Sequence, residues 1–163
     1  MNTDKNISGF SLIELLIVVA IIGIIAAIAV PNLLASRRAA NEASAQSTLR
    51  TIHSSEATYQ ATAGNGNFGS MAQLVAARMI DAQIGTNVKS GYRFDITPID
   101  LVPDVSLAYF KATANPVITS GATQTGGRKF GLQDNGVMHG QSDSLAAPLT
   151  DTELAASNNV MGN

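Results

Sequence analysis

The stretch Gly9-Phe10-Ser11-Leu12-Ile13-Glu14 runs directly into a long apolar segment and decides how this chain can fold. From Leu15 to Val30 no residue is charged or strongly polar. Counted from Phe10, the apolar run has about 21 residues, close to the ~20 that a helix needs to cross a bilayer core. Because lipid offers no partners to backbone N–H and C=O groups, we expect this run to be helical.

One carboxylate, Glu14, lies near the start of the apolar run. An ionisable side chain at that depth is costly and suggests a function by default. Glu14 also follows Phe10 by four residues, one turn along the same helix face. The residues alone leave two interpretations open: an idle carboxylate at the headgroup level, or a charge that pairs with a cation of another molecule.

The stretch Gly9–Glu14 resembles the processing site of type IV pilins and of the related pseudopilins of type II secretion. The resemblance is tight from about Gly9 to Ala45 and only architectural beyond. It implies cleavage between Gly9 and Phe10 by a prepilin peptidase, and N-methylation of Phe10. It also implies that Glu14 of one subunit recruits the new amine of Phe10 from its neighbour during assembly.

Gly23 and Pro31 interrupt the helix-forming residues of the apolar run. Proline has no N–H to donate to the carbonyl four residues back, and glycine disfavours a helix interior by about 1 kcal/mol relative to alanine. These residues predict a mild kink. The resemblance further implies that the stretch from Gly23 to Pro31 loosens when subunits pack into a filament.

Beyond Pro31 the helix is predicted to continue to about Ala63 as an amphipathic helix. Its narrow apolar stripe recurs at three- and four-residue steps and comprises Ala45, Leu49, Ile52, Glu56, Tyr59 and Ala63. Glycines and asparagines in Gly64–Gly69 end it, and their formal match to a dinucleotide-binding motif fails because a long helix precedes them. A short helix is then predicted from an N-cap at Ser70 to about Ile80.

From Gly91 the hydrophobic period changes to two, which predicts a small antiparallel sheet of about four strands. The first strand should end at Pro98. The others are predicted over residues 106–114, 128–133 and 137–139, the last two joined by an Asp134-Asn135-Gly136 turn. The fold class is therefore α+β, with a long N-terminal helix packed on the sheet.

The chain of 163 residues is expected to divide into five regions. These are a leader (1–9), a transmembrane and assembly half of the helix (10–34), its amphipathic half (35–63), a globular region (64–140) and a flexible C-terminal tail (141–163). There are no cysteines, so neither disulfides nor thiolate metal sites can form. We therefore expect the C-terminal region to be held by strand pairing alone.

Few residues suggest a reaction, a cofactor or a metal. No catalytic motif includes His53 or His139, and both are expected at a surface or interface. Asp95, Asp100 and Asp104 are weak candidates for a Ca²⁺ site, although solvated loop carboxylates are the simpler interpretation. With a net charge of −2 and no basic patch, nucleic-acid binding is not expected.

The predicted function is that of a structural subunit polymerised into a surface filament. Its partners would be copies of itself, the prepilin peptidase, an inner-membrane assembly platform and, before assembly, lipid. The precursor would span the bacterial inner membrane once with its C-terminal domain in the periplasm, and the processed subunit would become extracellular.

Three alternatives stay open. A pseudopilin would build a short periplasmic pseudopilus, and a membrane-anchored periplasmic binding domain or enzyme would keep Met1. An ordinary secretory signal cleaved at Ala43-Ser44-Ala45 is disfavoured by an apolar core that is too long. Lys5 on one side of the span and Arg37-Arg38 on the other do not by themselves place the C-terminal domain outside.

Overall fold

The computed structural model describes residues 10–103, 106–143, 145–156 and 160–161. The chain divides into two compact units, Met1–Ser36 and Arg37–Asn163. Helix α1 (Leu12–Thr62) provides the described secondary structure of the first unit and enters the second. It is uninterrupted at Gly23 and Pro31, so neither residue ends the helix in this structure.

The second unit contains three short helices and a five-stranded sheet. The helices are α2 (Met71–Ala76), α3 (Ala82–Gly85) and α4 (Asp151–Ala155). The strands are β1 (Val88–Lys89), β2 (Tyr92–Ile99), β3 (Tyr109–Pro116), β4 (Lys129–Gln133) and β5 (Met138–Gln141). All neighbouring strands pair antiparallel in the order β1-β2-β3-β4-β5. The α+β prediction is confirmed, with one strand more than expected.

Strand β2 continues through Pro98, where the sequence predicted its end. Pro98 lies opposite Phe110 of β3, whereas β1 reaches only Tyr92 and Arg93 of β2. The proline therefore lies beyond the stretch that pairs with β1, where a missing N–H removes no ladder hydrogen bond.

The helix predicted from Ser70 to about Ile80 is shorter in the structure, where α2 ends at Ala76 and a separate helix, α3, begins only at Ala82. Ser70 does cap α2, and its hydroxyl accepts a hydrogen bond from the backbone N–H of Gln73. Arg78 adopts a positive φ of 58°, and the N–H of Met79 reaches back to the carbonyl of Leu74 at 3.0 Å. This left-handed residue stops the helix, and Asp81 caps the next one.

The core lies between one face of the sheet and the second half of α1. Ala45, Leu49 and Ile52 of α1 are fully buried, as the predicted apolar stripe requires. The sheet contributes inward-facing side chains at alternate positions. The largest of these are Tyr92, Phe94, Phe110, Phe130 and Leu132.

The C-terminal segment (145–156) packs against the other face of the sheet, where the sequence predicted a flexible tail. Leu149 and Leu154 are each only 1% exposed. They approach the position that a Cβ would occupy at Gly131 of β4, to 3.1 and 2.9 Å respectively. The absence of a side chain at Gly131 thus leaves room for two leucines that are far away in sequence.

Charged pairs and backbone contacts also hold this segment. The Lys129 ammonium lies 3.1 Å from Oε1 of Glu153, and Lys111 lies 3.1 Å from Asp151. Farther on, the N–H of Met161 donates to the carbonyl of Met138 at 2.8 Å. Strand pairing is therefore only part of what holds the C-terminal region, contrary to the expectation drawn from the absence of cysteine.

Candidate assembly site

The candidate site begins where α1 begins. Phe10 is the first described residue and is 77% exposed, and Ser11 immediately precedes the helix. The carbonyl of Ser11 accepts a hydrogen bond from the N–H of Leu15 at 3.2 Å. Gly9, on the other side of the predicted cleavage site, lies outside the described residues.

Glu14 lies in the first turn and folds back toward the helix start. The backbone N–H of Ser11 donates to its Oε2 atom at 2.9 Å. This satisfies one of the donors that every helix N-terminus leaves free, and the negative charge complements the positive end of the helix dipole. An ionised carboxylate has about four acceptor positions, so the second oxygen, Oε1, can still accept further bonds.

The described part of α1 from Phe10 to Leu33 presents an apolar surface that is exposed to solvent. Fifteen large hydrophobic side chains between Phe10 and Leu33 are exposed. Glu14 is the one charged residue in this stretch. Among the described residues, α1 is the one helix long and apolar enough to cross a membrane, and its most apolar stretch is not buried by any of them. Exposed apolar surface of this size requires lipid or other protein to cover it.

The structure places Gly23 and Pro31 within this apolar surface, about two turns apart along α1. A Cβ added at Gly23 would meet no described residue within 4 Å. Packing against the described residues of one subunit therefore does not require glycine at this position. Whether the stretch kinks or melts in an assembly stays a prediction.

The structure describes two of the three acidic candidates for a metal site, Asp95 and Asp100. Asp95 lies on β2, Asp100 follows that strand, and both are exposed. Within the described parts of the chain, no three His, Cys, Asp or Glu side chains are grouped so that they could hold a metal ion. Asp104 lies outside those parts.

The two histidines differ in their surroundings. His53 is half-buried, and its Nε2 atom lies 3.1 Å from the carbonyl oxygen of Asp134. His139 is buried at 3% exposure, so the expectation of a surface position was wrong for this residue. Burial lowers the pKa of His139, because its charged form is poorly solvated there.

A buried carboxyl in the second unit was placed correctly by the sequence pattern but given no role. Glu56 falls on the apolar stripe of α1 and is fully buried. Its Oε2 atom accepts a hydrogen bond from the N–H of Gly69 at 2.8 Å, and its Oε1 atom has no partner in the described structure. Burial raises the pKa of Glu56 to about 7, partly offset by that hydrogen bond. An acidic residue on an otherwise apolar stripe was the available signal.

Comparisons with known proteins concern the N-terminal segment. The family model described as the prokaryotic N-terminal methylation motif matches residues 4–30. The chain is 63% identical over 38 residues to the type IV wide pilus major component PilA4 of Thermus thermophilus, which covers 23% of this chain and 29% of that protein. It is 43% identical over 51 residues to the type IV major pilin protein PilA of Myxococcus xanthus, which covers 31% of this chain and 23% of that protein.

The matched stretches thus span less than a third of either relative. No solved structure matches the chain significantly. The matches nevertheless confirm the resemblance drawn from Gly9–Glu14, because the methylation motif includes that stretch.

Proposed function

We propose that this chain, which carries the N-terminal segment of the type IV pilin family, is a structural subunit that polymerises into a filament. Prepilin peptidase cleaves it between Gly9 and Phe10, and Phe10 becomes N-methylated. The observation that carries the proposal is a lone carboxylate, Glu14, at the start of an apolar helix surface that none of the described residues covers. Both relatives are pilus components, which are structural proteins and not enzymes.

The pairing chemistry follows from the new N-terminus. Cleavage gives Phe10 an α-amine with a reference pKa near 8, so it is mostly a cation at neutral pH. In lipid an unpaired charge is expensive, and pairing removes much of that penalty. Since the Ser11 N–H occupies only Oε2 of Glu14, Oε1 is left to accept the amine of a neighbouring subunit. This contact would set the axial register, and the apolar side chains would cover one another.

Before assembly the subunit lies in the inner membrane with its second unit in the periplasm, and assembly by a membrane platform moves it into the filament. We favour a surface pilus over a pseudopilus, because Asn67-Phe68-Gly69 follows the long helix where pseudopilins usually have a Tyr-Pro pair. Long filaments in electron micrographs of the producing cells would support the pilus. Loss of exoprotein secretion on deletion, without such filaments, would support the pseudopilus.

The first test is the intact mass of the mature chain, isolated from native membranes or filaments. The expected product begins at Phe10 and carries one additional methyl group. A mature chain that keeps Met1, or begins after Ala45, would exclude processing of the pilin type.

The second test is Glu14→Ala in the native host. We expect normal cleavage and membrane insertion but no filaments, because the neighbour's amine then has no carboxylate to pair with. The matched control is Asp143→Ala, which removes an exposed carboxylate from the second unit. Filaments of Glu14→Ala at wild-type abundance would refute the pairing.

A further inference from the structure

A cleft of about 380 Å³ lies on the face of the sheet opposite the core. Its floor is formed by outward-facing positions of β2 and β3. Two walls rise from it: one from residues 117–119 after β3, the other from residues 146–148 of the C-terminal segment. The volume is at the lower end of the range for small-molecule sites, which is roughly 300–1,000 Å³.

Four polar side chains form the floor as two cross-strand pairs. Arg93 lies directly opposite Asn115, and Asp95 lies directly opposite Thr113. Side chains paired in this way are about 5 Å apart, and alternate residues along a strand are about 7 Å apart. The floor is therefore a small rectangle with one row rich in donors, Arg93 and Asn115, and one row rich in acceptors, Asp95 and Thr113.

Most of these polar groups are not used to hold the fold. The side chains of Arg93, Asp95 and Thr113 make no hydrogen bond or ion pair with any residue in the described ranges, although Thr113 is only 4% exposed. Asn115 uses its amide to donate to the carbonyl of Leu145 at 3.4 Å, which leaves its side-chain oxygen to accept. Polar groups that converge in a cleft without internal partners are available to a ligand.

The walls are held in place before any ligand arrives. The N–H of Val117 donates to the carbonyl of Gly91 at 2.9 Å. The N–H of Ile118 donates to the hydroxyl of Thr125 at 3.1 Å. The opposite wall is tied to the floor by the contact between Asn115 and Leu145. Because the loops are already ordered, a ligand that binds here does not incur the entropic cost of ordering them.

The charges of the cleft select the class of ligand. Arg93 and Asp95 are two residues apart on the same strand face, so the cleft has no net charge of its own. An anion would approach Asp95, and a cation would approach Arg93. Hydroxyl groups both donate and accept, so a neutral polyhydroxyl compound can use both rows at once. Pro116, Val117 and Pro148 offer apolar contact to the C–H faces of such a compound.

We propose that this cleft binds a neutral saccharide unit of one or two rings. Asp95 accepts hydrogen bonds from adjacent sugar hydroxyls, and Arg93 donates to their oxygens. The site belongs to the second unit, and the proposal does not depend on the filament function. The assay below uses the isolated chain, so its failure leaves that function untouched.

The test is saturation-transfer NMR on the full chain in lauryldimethylamine oxide micelles, a detergent without a sugar headgroup. The probes are the methyl glycosides of α-D-glucose, β-D-galactose and α-D-mannose, with glucuronate and glycine as anionic and zwitterionic comparisons. We expect at least one glycoside to bind, and Arg93→Ala and Asp95→Ala each to weaken that binding by about tenfold or more. Thr97→Ala, on the same face of β2 but outside the cleft, is the matched control and should bind like the wild type.

Unfolding midpoints from tyrosine emission check that the variants fold. Both changed side chains are exposed, so wild-type midpoints are expected. The proposal is overturned if no glycoside binds at about 10 mM, a concentration that detects even weak sites. It is also overturned if glycine or glucuronate binds in preference to every glycoside, or if both alanine variants bind the glycoside as the wild type does.

Discussion

At the scale of single residues, Glu56 is the group whose surroundings most change its chemistry. It is fully buried on α1 and ties the segment after the helix to it through the N–H of Gly69. Burial raises its pKa from 4.5 to about 7, so near neutral pH the folded protein binds a proton that the unfolded chain releases. Proton binding by the folded state makes stability fall as pH rises between these two values.

We expect Glu56→Gln, which resembles the protonated carboxyl, to remove this dependence. Its free energy of unfolding should be close to that of the wild type near pH 4.5. As pH rises, the free energy of unfolding of the variant should increasingly exceed that of the wild type. The difference should reach on the order of 3 kcal/mol above pH 7, because each unit of pKa shift corresponds to about 1.4 kcal/mol. Urea unfolding of the chain in detergent, followed by tyrosine emission, measures both at each pH. All three tyrosines, Tyr59, Tyr92 and Tyr109, lie in the second unit.

The comparison is made as a difference between variant and wild type, because burial also lowers the pKa of His139 and so makes stability depend on pH. A lowered histidine pKa stabilises the folded protein at high pH, and this stabilisation is lost as pH falls through the ordinary value of 6.5. The effect of His139 on stability therefore has the opposite sign to that of Glu56. That contribution is common to both proteins and cancels in the difference. Asp143→Asn replaces an exposed carboxylate by an amide and is the control for the loss of one negative charge. A difference that does not change between pH 4.5 and 8 would show that Glu56 is ionised in the folded state.

At the scale of elements, the C-terminal segment is attached through an asymmetric ion pair. Lys129 of β4 has a side chain only 1% exposed, whereas that of its partner Glu153 in α4 is 26% exposed. The pKa of Glu153 is lowered to about 2, first by hydrogen bonds from Thr150 at the helix cap and then by Lys129. The stabilisation is therefore present above the ordinary value of 4.5 and is lost as pH falls toward 2.

Because the lysine is the buried partner, the two single substitutions should differ. Glu153→Gln leaves a buried ammonium without its counter-charge and should lower the free energy of unfolding by about 3 kcal/mol. Lys129→Met leaves a carboxylate that water and the Thr150 cap still solvate, so this substitution should lower the free energy of unfolding by less. Urea unfolding at pH 7 measures both, and the double variant should resemble Lys129→Met. Equal losses for the two single variants would contradict the asymmetry.

Elements governed by local patterns were predictable from sequence, whereas those governed by distant contacts were not. The alternation of Tyr92, Phe94 and Ile96 correctly predicted the position and the buried face of β2. Strand β1 has only two residues, one of them exposed, so it carries no period and exists because β2 lies beside it. Burial of the C-terminal leucines depends on Gly131, which no local pattern relates to them.

The same distinction applies to the candidate sites. Glu14 was predictable because a carboxylate in an apolar run is conspicuous, and its bond to Ser11 spans only three residues. The cleft was not predictable. Asp95 was a weak metal candidate, and its position opposite Thr113 requires the register of two strands that the sequence alone did not fix.

At the scale of the whole molecule, the two units differ in whether their apolar side chains are buried. The second unit has a core of its own, built on the sheet and the later turns of α1. The described residues of the first unit, 10–36, form part of one helix whose apolar side chains are exposed. A homopolymer covers such surfaces by placing identical helices side by side. If the chain assembles as proposed, its first unit is therefore the part whose surroundings change between membrane and filament.

The stretch from Gly23 to Pro31 should respond most to that change. We expect it to be helical in the detergent-solubilised monomer, as in the structure. In filaments the amides of this stretch should lose protection from hydrogen exchange, because glycine disfavours the helix by about 1 kcal/mol and proline by about 3 kcal/mol relative to alanine. Hydrogen–deuterium exchange on monomers and filaments measures this, with residues 13–22 of the same helix as the internal control. In filaments, amides between residues 24 and 30 should exchange faster than those of the control segment.

The variant Gly23→Ala/Pro31→Ala restores a donor to the carbonyl of Ala27 and removes both helix-disfavouring residues. The space around Gly23 admits the added methyl group within one subunit. If this variant assembles, its filaments should protect residues 24–30 as well as residues 13–22. If it does not assemble while cleavage and membrane insertion are normal, loosening of the stretch is needed for packing. Equal protection of the two segments in wild-type filaments would refute the loosening, since the helix would then be as continuous among its neighbours as it is alone.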